Sequence, residues 1–351
     1  METFWFFATA CMLAAYVVLD GFDLGAGALH LFLARTDQER RAIYASIGPV
    51  WDGNEVWLLA GGGTLFFAFP QAYAAGFSGF YLPLMLVLWL LAGRALSIEL
   101  RSHLPYKLWH AFWDAAFCLS SALLCVVLGA ALGNVIRGVP LTSDGWFHVA
   151  LFTDFRLGAY PGVLDWYTVL IGVFALLALS AHGALWISLK TEGDLQARAK
   201  AFLRRAWPAV GALGIVAIVA TQQVQPTIYS NLLARPLAWP LVLIAALGFG
   251  ACLRRVLRTS NNPTSELIAF CGSAAFLTGT LAASAAGLFP VLLRSTVDPV
   301  FSITAHSAAT AQHGQRVGLA WWLVGLPIAI AYAVIMYRST RGKVSVPERG
   351  H

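Results

Sequence analysis

The chain has 351 residues, of which 59% are hydrophobic and only 11% are charged. Soluble domains carry about 25% charged residues, so this composition excludes a soluble enzyme and predicts an integral membrane protein. The net charge of +6 is therefore a guide to membrane topology rather than a sign of nucleic-acid binding. The five cysteines form no CxxC or CxxCH motif, so neither a zinc site nor covalently attached haem is indicated.

Nine segments are long and apolar enough to be membrane helices, which need about 20 residues each. No large soluble domain fits between them, so residues 1–351 are expected to form a single transmembrane domain. Several predicted ends coincide with helix breakers, among them Pro70 and the sequence Asn261-Asn262-Pro263. In chain order the predicted spans are 4–30, 50–70, 73–98, 113–136, 163–188, 206–223, 237–257, 265–288 and 315–337.

Basic residues alternate between the loops at the two ends of these spans. Eighteen of the 23 Lys and Arg residues, from Arg35 to Arg349, fall on the side of the C-terminus. The remaining five, such as Arg137 and Arg235, fall on the other side. Because loops rich in Lys and Arg stay in the cytoplasm, the alternation predicts an external N-terminus and a cytoplasmic C-terminus.

Acidic residues interrupt the first two predicted spans, in VLDGFDLGAG (18–27) and IGPVWDGNEVWLL (47–59). The acids of each pair lie three residues apart and therefore on one helical face. A carboxylate near hydrocarbon is costly and usually has a partner or a function. The predicted topology gathers six acids at the cytoplasmic ends of the first four spans. They are Asp20, Asp23, Asp52, Glu55, Glu99 and Asp114.

Two interpretations of this acid cluster stay open on the residues alone. A hydrated chain of carboxylates would carry protons from the cytoplasm, as intramembrane Asp, Glu and His often do. Alternatively, the acids would be structural. Asp52 and Asp114 would then lie in first helical turns, where a carboxylate favours the helix dipole. Glu99 would pair with Arg94 or Arg101.

Only two of the eight histidines, His30 and His182, are expected within the bilayer. His30 lies seven residues after Asp23, on the same helical face, and would join the acid cluster. Haem iron needs an axial ligand, most often His, and helices that hold two haems carry facing His pairs. The chain shows no such pairs, so no haem, copper or other metal site is predicted in it.

Sequence blocks along almost the whole chain resemble subunit II of the cytochrome bd quinol oxidases, including the cyanide-insensitive branch. The DGFDLG and WDGNEVW blocks are highly specific, and the run Arg94, Glu99 and Arg101 follows them. Further matching blocks are YAAGFSGFYLPLMLVL (73–88), LGNVIRGVP (132–140), LKTEGDLQARA (189–199) and FPVLLRSTVDP (289–299).

The resemblance implies an all-α fold of nine membrane helices, arranged as two four-helix bundles plus one peripheral helix. It implies a haem-free subunit in the bacterial cytoplasmic membrane, paired with a subunit I that holds two b haems and haem d. The complex would oxidise quinol and reduce O2 to water with protons from the cytoplasm. A small third subunit and a structural quinone occur in some relatives.

The resemblance also implies a proton path at the interface with subunit I. By motif, its acids here are Asp52 and Glu99; relatives often have Asp at the second position. The supporting polar cluster is Asp20, Asp23, Trp51, Asn54, Glu55, Arg94 and Arg101. We expect the second and third spans to face subunit I, since both acids would then line the seam.

Two alternatives are weighed against this function. A stand-alone proton-coupled transporter would also use buried acids. However, alternating access favours a site near the midplane of the bilayer, whereas these acids cluster at one side. A purely structural subunit would use its acids only in ion pairs with subunit I.

Overall fold

The structure is a computed structural model that describes residues 1–258 and 263–344. The predictions made at Asn261, Asn262 and Arg349 lie outside the described residues. The helices are α1 (Glu2–Leu33), α2 (Asp37–Ile47), α3 (Trp51–Ala68), α4 (Pro70–Gly79), α5 (Tyr81–Leu100), α6 (Lys107–Arg137), α7 (Trp166–Lys190), α8 (Gly193–Val224), α9 (Thr227–Leu233), α10 (Trp239–Leu257), α11 (Pro263–Leu288) and α12 (Gln312–Ser339). Two short strands, β1 (Val291–Leu293) and β2 (Ile303–Thr304), pair antiparallel in the connection between α11 and α12.

Among the described residues, eight helices are long and apolar enough to cross a membrane, which confirms the predicted all-α membrane fold. They are α1, α5, α6, α7, α8, α10, α11 and α12. The predicted span 50–70 corresponds to α3, whose first turns carry Asp52, Asn54 and Glu55. These polar residues make α3 less apolar than the other eight helices. The predicted number of nine spans is reached only if α3, which packs along α1, also crosses the membrane.

The predicted span 73–98 is wrong in its first part. The chain forms α4 over Pro70–Gly79, and the helix of membrane length begins only at Tyr81. Pro70 opens α4 instead of closing the preceding helix, at a position where its fixed φ favours a helix start. Only Phe80 lies between the two helices, and it is apolar, so hydropathy alone could not show the break.

The amphipathic helix α2 was not predicted, because its 11 residues are too few to span a membrane. Thr36 and Glu39 form a capping box at its start. The Thr36 hydroxyl accepts a hydrogen bond from the backbone of Glu39, whose carboxylate accepts from the backbone of Thr36. Helix α2 lies between α1 and α3 in the chain and contacts the C-terminal part of α7.

Helix α1 lies at the centre of the molecule, in contact with α3, α6, α7 and α11. Small residues allow its close approach to α7. A Cβ atom on Gly25 would overlap the carbonyl oxygen of Leu179, and one on Gly183 would overlap the backbone of Gly25. Close backbone contact through glycine is a common way to pack membrane helices. Gly62, by contrast, has no atom within 4 Å of such a Cβ position in the described structure.

The remaining helices pack around this centre. α6 lies between α5 and α7, and α7 contacts α8 and α11, which packs closely on α10. α12 runs along α3 at the periphery, and large apolar side chains such as Trp321 and Ile335 are exposed on it. The division into two four-helix bundles and one peripheral helix stays a prediction.

We predict that Gly183→Ala destabilises the protein by about 1–3 kcal/mol or more, because the added methyl group overpacks the α1–α7 contact. Gly250→Ala in α10 is the matched control, since nothing lies within 4 Å of its Cβ position in the described structure. Thermal unfolding of the purified complex measures both. Equal unfolding temperatures for the two variants would contradict the close α1–α7 contact.

Candidate functional site: two buried arginine clusters and two exposed acids

The polar residues gather at one end of the helices, where α1 and α5 finish and α3 and α6 begin. We call this the acid end. Asp20 and Asp23 lie more than two turns before Leu33, the last residue of α1, and both are buried. The structure therefore brings the predicted acids of four helices to one end, but it divides them into separate groups.

Arg94 of α5 is the centre of the first group and is fully buried. Its Nη1 donates to Asp20 Oδ1 at 2.6 Å, and its Nη2 donates to Glu55 Oε2 at 2.9 Å. One guanidinium thus joins carboxylates from α1 and α3. Charge-assisted hydrogen bonds of this kind are about twice as strong as neutral ones, and pairing is what allows these charges to be buried.

Asp23 joins this group through uncharged partners. Asn54 Nδ2 donates to Asp23 Oδ2 at 2.8 Å, and the Tyr337 hydroxyl donates to Asn54 Oδ1 at 2.7 Å. These bonds connect α1, α3 and the peripheral helix α12. Trp51, also predicted in the supporting cluster, lies half-buried at the first position of α3.

Four buried polar atoms around Arg94 have no hydrogen-bond partner among the described residues. They are Tyr16 Oη, Asp20 Oδ2, Asp23 Oδ1 and Arg94 Nε. Buried polar groups in proteins are almost always satisfied, by ordered water where no protein atom is in reach. We therefore expect water molecules between these side chains.

Arg101, predicted in the same supporting cluster, is the centre of a second group. Its Nε donates to Asp114 Oδ1 at 2.6 Å, and its Nη2 donates to Asp37 Oδ1 at 2.8 Å. Asp114 also lies 3.2 Å from Arg40 Nη1 and 2.9 Å from His30 Nε2. The group thus connects α1, α2, the end of α5 and α6.

The interpretation of Asp114 as a first-turn residue is wrong. α6 begins at Lys107, so Asp114 lies in its third turn, fully buried and held by Arg101. His30 does join the acids, as expected, but it contacts Asp114 rather than Asp23. Membrane spans were predicted from apolar runs. Because α6 begins with the polar sequence KLWH, its first two turns were left out of the predicted span.

The acids of α2 are ionised by their partners outside the membrane-spanning helices. Partial burial acts to raise the pKa of Asp37, but the hydrogen bond and charge of Arg101 outweigh it and leave the pKa below its usual range. Burial also acts to raise the pKa of Glu39, and the hydrogen bond from Arg198 lowers it in the same way. Both carboxylates are therefore charged at neutral pH, and they attach α2 to α5 and α8.

Asp52 and Glu99, the two residues proposed from the motifs, differ from the other four acids of the predicted cluster because both are exposed. Neither side chain has a hydrogen bond or ion pair to any described residue. Asp52 lies in the first turn of α3, as one interpretation expected. Glu99 does not pair with Arg94 or Arg101, because both guanidinium groups bind other carboxylates.

The faces that carry these two acids are otherwise apolar. Val56 and Leu59 follow Asp52 on one face of α3, with 52% and 72% of their surface exposed. On α5, Leu96 and Leu88 precede Glu99 on one face, at 49% and 56% exposure. In a membrane, such a surface faces either lipid or a second membrane protein.

No group of three or more His, Cys, Asp and Glu side chains suited to a metal ion occurs in the described part of the chain. Both ring nitrogens of His182 have partners, Ser273 Oγ at 2.6 Å and the carbonyl oxygen of Val18 at 3.0 Å. His30 Nε2 faces Asp114. These contacts give the two intramembrane histidines structural roles.

Two further buried acids, Glu266 and Asp165, have ion-pair partners that the sequence analysis did not predict. Glu266, in the first turn of α11, lies 2.7 Å from Lys200 Nζ and 2.9 Å from Lys343 Nζ. At the opposite end, Asp165 caps α7 and pairs with Arg137 of α6. The spacing of Asp165 and Thr168 is a capping-box signal that could have been found in the sequence. Nothing in the sequence indicated that Arg137 pairs with Asp165.

We predict that Arg94→Gln destabilises the complex by about 3–5 kcal/mol, because Asp20 then stays buried without a counter-charge. Adding Asp20→Asn to it should recover much of this loss. Thermal unfolding and the yield of purified complex measure the effect. A single variant as stable as the double variant would contradict the structural role of the pair.

Known proteins resemble this chain in sequence and in fold. The family model for cytochrome bd terminal oxidase subunit II matches residues 1–340. The cytochrome bd ubiquinol oxidase subunit 2 of Bacillus subtilis (strain 168) is 29% identical over 348 residues, which cover 99% of this chain and 98% of that protein. The cytochrome bd-I ubiquinol oxidase subunit 2 of Escherichia coli (strain K12) is 37% identical over 197 residues, which cover 56% of this chain and 51% of that protein.

A solved structure, the bd oxidase from Geobacillus thermodenitrificans, matches with a TM-score of 0.72 over 95% of this chain and 97% of that chain. At 17% identity, this likeness supports the fold alone. The resemblance predicted from the DGFDLG and WDGNEVW blocks is confirmed, and a stand-alone transporter is set aside. The chain belongs to the cytochrome bd terminal oxidase subunit II family.

Proposed function

We propose that this chain is the haem-free subunit of a quinol-oxidising complex and that Asp52 and Glu99 contribute a proton route where it meets subunit I. One observation supports the route most strongly. These two acids are exposed and unpaired within the described residues, whereas Asp20 and Asp114, at the same end of the molecule, are each held by a buried arginine.

The haems of the complex, two b haems and haem d, are expected in subunit I. In this chain, the described residues offer no cluster that fits a metal, and both ring nitrogens of His182 are engaged by Ser273 and the backbone of Val18. Subunit I would oxidise the quinol and reduce O2 to water. The part of this chain would be to support assembly and to deliver protons.

The apolar faces of α3 and α5 support a seam with subunit I. A carboxylate on a lipid-facing surface is costly, so acids among exposed apolar side chains favour burial against a partner protein that supplies polar groups or water. Once covered by subunit I, Asp52 and Glu99 would be shielded from lipid and could exchange protons with the polar groups or water of the seam. Asp20, held by Arg94 at 2.6 Å, would support the arrangement of the helices rather than the route itself.

The acid end would face the cytoplasm, which makes it the entry side for protons. The excess of Lys and Arg in loops at this end supports that orientation. The N-terminus would then lie outside the bacterial cytoplasmic membrane.

We predict that Asp52→Asn and Glu99→Gln slow O2 consumption by the quinol-fed complex about tenfold or more, as expected when a proton-transferring group is lost. The absorption spectrum of the haems should stay normal, since neither acid has a structural partner in the described chain. Asp144→Asn, in an exposed loop at the opposite end, is the matched control and should keep full activity.

Three readouts separate the alternatives. Normal turnover in both acid variants would refute the proton route. Loss of the haem signal would indicate that the acids serve assembly, as in a purely structural subunit. Normal spectra with slow turnover in the acid variants alone would support the proposal.

The orientation has its own test. Alkaline phosphatase fused after residue 351 should be inactive, because this reporter folds only outside the cytoplasm. The same reporter inserted beside Asp144 should be active. Activities in the reverse order would contradict the proposed topology.

A further inference from the structure

A second polar site lies at the acid end, between α8, α10 and α11 and away from the faces that carry Asp52 and Glu99. The start of α8 belongs to this end, because Arg198 Nε donates to the carbonyl oxygen of Leu33 at 2.7 Å. A cavity of about 60 Å³ opens here. Since a bound water needs about 10–15 Å³ measured in this way, the cavity has room for a group the size of phosphate.

The cavity lining is strongly basic. Four cationic side chains, Lys200, Arg204, Arg255 and Arg258, face a single acid, Glu266. Glu266 is already held by Lys200 and, from outside the cavity lining, by Lys343. The three arginines have no carboxylate partner among the described residues. Three positive charges around one cavity therefore lack a counter-charge within this part of the chain.

Apolar surface continues from this cavity along the two helices that hold the arginines. On the face of α8 that carries Arg204, Ile215 and Val219 are 64% and 52% exposed. On the face of α10 that carries Arg255, Ile244 and Leu247 are 42% and 63% exposed. The helices are held side by side, in part by Trp207, whose ring stacks on Phe249.

We propose that this cavity binds the phosphate group of an anionic phospholipid, with the acyl chains along the exposed faces of α8 and α10. Arg204 and Arg255 would donate to the phosphate oxygens, since arginine presents several N–H groups in a geometry that matches phosphate. Basic pockets between membrane helices are a recurring site for anionic head groups. The apolar faces favour a lipid over free phosphate, because acyl chains would contact them and a free anion would not.

Binding of labelled phosphatidylglycerol to the purified, delipidated complex tests the proposal. Arg204→Gln with Arg255→Gln should weaken it about 25-fold, at about fivefold for each basic residue lost. Arg205→Gln with Arg254→Gln is the matched control, because these neighbouring arginines are outside the cavity lining and the net charge changes equally. The control should bind like the original complex, and phosphatidylcholine should bind weakly to all three.

Three results would overturn the proposal. Equal losses in the two double variants would show that only overall charge matters. Full displacement of the labelled lipid by millimolar inorganic phosphate would indicate a site for free phosphate. Equal binding of phosphatidylcholine would show that the anionic head group is not recognised. Arg204→Lys with Arg255→Lys keeps the charge but loses the planar donor geometry, so it should bind more weakly than the original complex and more tightly than the Gln double variant, which guards against a loss caused by misfolding.

Discussion

A buried guanidinium must be paired, and two of them, Arg94 in α5 and Arg101 directly after its last residue, lie at the acid end. Arg94 binds acids of α1 and α3, whereas Arg101 binds acids of α2 and α6. Because each pair has good geometry only at one rotation and depth of its helices, the two arginines set how α5 sits against the rest of the acid end. The glycine contact between α1 and α7 then connects this group to the second half of the molecule.

This pairing divides the intramembrane acids by role. The carboxylates that reach Arg94 or Arg101 are paired with a guanidinium, so they stabilise the arrangement of helices. Asp52 and Glu99 lie on the outward faces of α3 and α5, beyond the reach of either guanidinium. The same constraint that orders the interior therefore leaves two titratable groups at the surface where a haem-bearing partner is proposed. The acids that the sequence predicted as a single cluster therefore form two groups, one paired with arginine and one exposed and unpaired.

Hydropathy was enough to predict the membrane fold, because apolar runs as long as those of α6 and α7 occur almost only as membrane helices. The acids were also predictable, since Asp20 and Asp23 are conspicuous within an apolar helix. Their partners were not: Arg94 is 74 residues from Asp20 in the chain, and only helix rotation decides which acid it meets. Short elements were missed for a related reason. Helix α2 and the break at Phe80 depend on tertiary contacts and turn geometry that a window of about 20 residues averages out.

The central claim is that Asp52 and Glu99 are left free by the arginine clusters in order to serve the seam with subunit I. An experimental structure of the complete complex at a resolution that shows ordered water tests it most directly. We predict that both carboxylates are covered by subunit I and connected to the cytoplasmic surface by water, with Arg94 still bound to Asp20 and Glu55. Lipid, rather than protein, against the Asp52 and Glu99 faces would contradict the account.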